Sequence, residues 1–88
     1  MTRDNSVAGL FKVRDTHGYP LECILEQLQS NNLVVDWEDY AQCAKTAGWS
    51  QSKVFNEIYY ACREVYRGCF KEKNVTRLSK LLEKIWNG

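Results

Sequence analysis

The sequence predicts an all-α fold: a small four-helix domain with a helix-turn-helix-like corner and an irregular N-terminal arm at 1–18. Three observations carry this expectation. Apolar residues recur at intervals of three and four in four separate stretches. Capping residues and glycine stand at the ends of those stretches, where helix termini need them. Proline occurs once, at Pro20, where a helix would begin rather than break. With 88 residues and 44% hydrophobic content, the chain has the size and composition of one domain, its helical core at 20–86.

The arm is the least regular part. Leu10-Phe11-Lys12-Val13-Arg14 alternates enough for a short strand or an extended segment, and Asp15-Thr16-His17-Gly18 reads as a turn. Pro20 fits the first position of a helix over 20–31, whose buried stripe is Leu21, Ile24, Leu25 and Leu28. Asn31-Asn32 provides a left-handed stop. Leu33-Val34-Val35 is then expected inside the core.

A second helix, 37–47, starts from Asp36 as N-cap, because a carboxylate there accepts the free N–H groups of the first turn. Asp39 stands where a capping-box acid reaches back to the cap, and Val35 and Tyr40 occupy the positions of a hydrophobic staple. Gly48 supplies the left-handed residue that ends this helix. Ser50 caps the next, expected over 51–71 and central to the fold. Its apolar positions, from Val54 and Phe55 to Cys69 and Phe70, cover more circumference than one neighbour requires. Gly68 weakens its end. A last helix at 76–86, capped by Asn74 or Thr76, carries Leu78, Leu81, Leu82, Ile85 and Trp86 on one stripe.

Composition narrows the function. The four cysteines (Cys23, Cys43, Cys62 and Cys69) form no C-x-x-C pair, and His17 is the single histidine, so no zinc site and no cofactor is expected. Acids placed mainly as helix caps offer no paired carboxylates or nucleophile–base set, which points to a non-enzymatic protein. No secretory signal or membrane-spanning run is visible, so the cytoplasm is the expected location and the thiols are expected reduced. Net charge is +1, yet residues 51–88 carry eight Lys or Arg against four acids. An acidic partner for that half, or pairing between the two halves, would follow.

Two binding functions fit these features. Three Trp and five Tyr give more aromatic surface than so small a core readily hides, and Tyr, Trp and Arg anchor protein contacts. Tyr60, Arg63, Arg67 and Lys71 recur at i, i+3, i+7 and i+11, which predicts a partner-binding ridge on the central helix; self-association is a second use for such a face. The alternative is DNA binding. Ala44, Gly48 and Val54 have helix-turn-helix spacing, and Ser50, Gln51, Ser52, Lys53 and Asn56 at the start of the next helix can hydrogen-bond bases or phosphates. Glu57 opposes it, standing where that motif expects a buried apolar group.

At Thr16-His17-Gly18-Tyr19-Pro20-Leu21-Glu22, at Val34-Val35-Asp36-Trp37 and at Gly48-Trp49, the chain resembles the lysis-inhibition accessory family RIII of T-even-type bacteriophages. The resemblance covers roughly Asp15 to Tyr66. It implies a cytoplasmic antiholin that binds the cytoplasmic part of a membrane holin and delays host lysis. It assigns no role to individual residues.

Overall fold

The computed structural model describes residues 6–87, which form an all-α fold of short helices packed on one buried cluster. The elements in order are β1 (Ser6–Val7), α1 (Leu10–His17), α2 (Leu21–Ser30), β2 (Val34–Val35), α3 (Trp37–Thr46), α4 (Gln51–Val65), a 3-10 turn (Arg67–Cys69) and α5 (Glu72–Asn87). α4 packs against α2 and α5, while α3 packs against α1 and α5. Tyr40, Leu25, Val54 and Leu82 are fully enclosed at the centre.

The cap chemistry explains where α3 and α4 begin. Asp36 accepts the Asp39 backbone N–H at 3.2 Å, and Ser50 accepts that of Lys53 at 3.1 Å. Asp39 does not close a capping box. The Asp36 N–H goes instead to Val7 O, and the Asp39 carboxylate reaches across to the Gly9 N–H at 2.8 Å. The second acid therefore ties the N-terminal segment to α3. Two helices end in the same way: Asn32 (φ 58°) and Gly48 (φ 91°) turn left-handed. Leu33 N–H then reaches Leu28 O after α2, and Trp49 N–H reaches Ala44 O after α3.

The arm is not irregular over its described part. Residues 1–5 lie outside the described residues, but Ser6–Val7 pairs in parallel with Val34–Val35 and Leu10–His17 is a helix. The expected strand at Leu10–Arg14 is thus corrected to α1, and His17 is its last residue rather than part of a turn. Phe11 is the reason. Buried to 4% exposure, it meets Tyr40 edge-on at 5.3 Å and Trp49 at 5.1 Å, a tertiary contact that no local pattern announces. The expectation that all of Leu33-Val34-Val35 is enclosed is corrected as well: strand alternation puts Val35 inside and leaves Val34 at the surface.

Pro20 is the N-cap of α2, one place before its expected position. The central helix stops at Val65 instead of running to residue 71, and the chain tightens through the 3-10 turn before Phe70. α5 begins at Glu72, four residues before the expected 76. Asn74 works from its third position, accepting the Lys71 N–H at 3.0 Å, so it supports this terminus without being the N-cap. Five helices therefore replace the expected four.

Candidate protein-binding surface

The residue that opposed the DNA motif organises the centre of the fold. Glu57 projects from α4 toward α1 and α3. One carboxylate oxygen accepts Arg14 Nε at 2.8 Å and Nη2 at 2.6 Å, and the other accepts the Tyr40 hydroxyl at 2.7 Å. Burial first, then the bond to Glu57, pushes the Tyr40 phenol far above its ordinary range. The same carboxylate raises the Arg14 guanidinium. Arg14 also stands 5.3 Å from the centre of the Trp49 ring, with Lys53 Nζ at 4.0 Å. Among the described residues, no buried side-chain nitrogen or oxygen lacks a partner. The polar cluster is a satisfied anchor between helices.

On α4, Val54, Ile58, Ala61 and Cys62 face inward. Phe55 and Tyr59 are half-buried, and Tyr60 is 62% exposed. Their rings form a run that the fold covers only in part. Phe55 stacks on Tyr59 at 5.9 Å, Tyr60 meets Tyr59 edge-on at 5.4 Å, and Phe70 meets it at 5.9 Å. Phe70 also borders a groove of about 380 Å³ between α3, α4 and α5. Trp37, Tyr66 and Phe70 form its aromatic walls, with Ile58, Cys62 and Leu78 beneath. Asn74 and Arg77 line it from α5. Burial pushes the Cys62 thiol up to about 12 and raises the Tyr66 phenol, so both stay protonated and neutral at ordinary pH.

The expected ridge of Tyr60, Arg63, Arg67 and Lys71 is not one surface of one helix. All four are exposed, but α4 ends before Arg67, and Lys71 immediately precedes α5. Arg63 lies beside Tyr60, Glu22 and Glu64. Arg67 turns back on α4, with Nε donating to Glu64 O at 3.3 Å and Nη2 facing the Glu64 carboxylate at 3.6 Å. Tyr60 and Arg63 remain together; Arg67 and Lys71 belong to the connection below them.

The DNA-directed residues gather at the start of α4 but are partly engaged within the fold. The Ser50 hydroxyl caps the helix and Lys53 covers Trp49. Gln51, Ser52 and Asn56 border a depression shared with Ser79 and Glu83 of α5, so a carboxylate stands where a phosphate would approach. Among the described residues, no group of three His, Cys, Asp or Glu is placed to hold a metal ion, and no helix is long and apolar enough to cross a membrane.

Sequence reasoning found the aromatic excess of the central helix but missed the groove. Asn74 reads in sequence as a cap alone, and neither Trp37 nor Arg77 carries a local signal for a groove. The density of cations after Tyr66 was the signal available. No family model, curated protein or solved structure matches this chain.

Proposed function

We propose that this chain is a non-enzymatic regulator that acts by docking on another protein through the aromatic face of α4 and the adjoining groove. The observation that supports this reading is the ring run Phe55–Tyr59–Tyr60–Phe70, left partly open to solvent although the apolar residues Val54, Ile58, Ala61 and Cys62 of the same helix are buried. Tyrosine at a surface brings a large apolar area at low entropic cost, together with a hydroxyl for the rim of a contact. The resemblance to the RIII family supplies the partner proposed here, the cytoplasmic segment of a phage holin, and with it a cytoplasmic role in delaying lysis.

The test is capture of that segment by the immobilised chain. Tyr60→Ala should abolish capture while leaving folding stability within about 0.5 kcal/mol of the parent, because Tyr60 is a surface residue. Arg67→Ala should weaken it less, since Arg67 is engaged with Glu64. Capture unchanged in both Tyr59→Ala and Tyr60→Ala would overturn the reading. Sedimentation of the free chain shows whether a second copy occupies the face instead. Salt-sensitive DNA affinity that drops on Lys53→Ala or Gln51→Ala would replace docking with the helix-turn-helix alternative.

A further inference from the structure

We infer that the groove between α3, α4 and α5 receives an acidic amphipathic helix, an apolar side chain entering the groove while carboxylates of the same segment meet Arg77 and its neighbouring lysines. This rests on the docking reading above and names the chemistry of the partner. The groove is apolar beneath and aromatic at its walls, the form that takes a leucine-sized or larger anchor. Its charged lining is of one sign, because Arg77 lines it and no carboxylate does. Asn74 has committed its oxygen to the Lys71 N–H, which leaves its amide hydrogens as donors.

The surroundings repeat that sign. From Tyr66 to Lys80 the chain carries five Lys or Arg against one acid, Glu72, although the whole chain is only +1. Lys73, Arg77 and Lys80 recur at i, i+4 and i+7, one strip along α5. Among the described residues, the side chains of Lys71, Lys73, Arg77 and Lys80 make no ion pair, in contrast to Arg67 with Glu64 and Lys84 with Glu38. An apolar concavity beside unpaired cations complements a segment that alternates apolar anchors with acids. An anionic bilayer offers the charge, but it is a flat surface and fills a concave groove poorly.

Fluorescence anisotropy decides it, with labelled synthetic helical peptides that share one leucine face and carry Glu, Gln or Lys on the polar face. The Glu peptide should bind the full chain best, and its affinity should fall as salt rises. Arg77→Glu should weaken the Glu peptide by about fivefold or more and strengthen the Lys peptide, whereas Lys12→Glu on α1 should change neither. Phe70→Ala should weaken all three peptides. Equal binding of the three peptides, or Arg77→Glu without effect, would overturn the inference. So would vesicles of phosphatidylglycerol binding in an Arg77-dependent way while the Glu peptide does not. None of these results touches the capture experiment with Tyr60→Ala, so an error about the partner's charge is distinguishable from an error about docking.

Discussion

Replacing Glu57 with alanine should cost about 2–4 kcal/mol of folding free energy, summed from the two groups it leaves behind. The Tyr40 hydroxyl belongs to a residue with 0% exposure, and the loss of its acceptor strands a buried donor at about 1–3 kcal/mol. The Arg14 side chain keeps 30% exposure, so water recovers part of its two lost bonds and the remaining cost is about 1 kcal/mol. Set against about 4–13 kcal/mol for a domain of this length, the loss is a large fraction of the total. The midpoint of thermal unfolding should fall by about 10–30 °C. Tyr40→Phe alone should cost only about 1 kcal/mol, because Glu57 retains Arg14. The triple change Arg14→Met, Tyr40→Phe and Glu57→Leu should return close to the parent, since it removes every group that needs a partner. Urea unfolding followed by far-ultraviolet circular dichroism measures all three. A Glu57→Ala midpoint within about 0.5 kcal/mol of the parent, at unchanged slope, would refute the role of the carboxylate as an anchor.

Two further outcomes follow from the same core. Phe11→Ala should cost about 3–5 kcal/mol and release α1, read as lost hydrogen-exchange protection over 12–17 while α2 and α4 stay protected; unchanged protection over 12–17 would refute Phe11 as the docking residue of α1. Alkaline pH should destabilise the chain. Cys62 is raised from 9.0 to about 12 and Tyr40 is raised above its ordinary 10.0, so each keeps its proton longer folded than unfolded. Their stabilisation is complete below pH 9 and falls as pH rises above it, by up to about 1.4 kcal/mol per pH unit for each group. Cys43, raised by its own burial and by Asp39, loses stabilisation from the same pH, so Cys62→Ala should flatten the decline between about pH 9 and 12 in urea midpoints measured against pH without moving its onset, and an unchanged slope there would refute the assignment to Cys62.

Local chemistry made α2, α3 and α4 legible. Asp36, Ser50, Asn32 and Gly48 act through neighbours three to five residues away, a range that a sequence displays directly. α1 was not legible, because its eight residues derive their order from Phe11 meeting Tyr40 and Trp49, far along the chain. Glu57 shows in sequence only as a break in the motif's apolar pattern, because its partner Arg14 lies 43 residues earlier. The groove depended on where α4 stops. With the helix extended to residue 71, Phe70 and Lys71 fall on its surface; with the 3-10 turn, Phe70 becomes a groove wall and Lys71 leads into α5.

The anchor and the exposed face are connected through the rotation of α4 about its axis. On a helix advancing about 100° per residue, Val54, Glu57, Ile58, Ala61 and Cys62 occupy one arc of about 140°, with Phe55 about 20° and Tyr59 about 60° beyond its Cys62 edge and Tyr60 about 60° beyond its Glu57 edge. Turning the helix to bury Tyr59 would withdraw Glu57 from Arg14 and Tyr40, and leave two polar groups without partners. The carboxylate therefore opposes the rotation that apolar burial alone would favour. The docking proposed above draws on that arrangement, a helix fixed in rotation with Tyr60 exposed and Phe55, Tyr59 and Phe70 only partly covered.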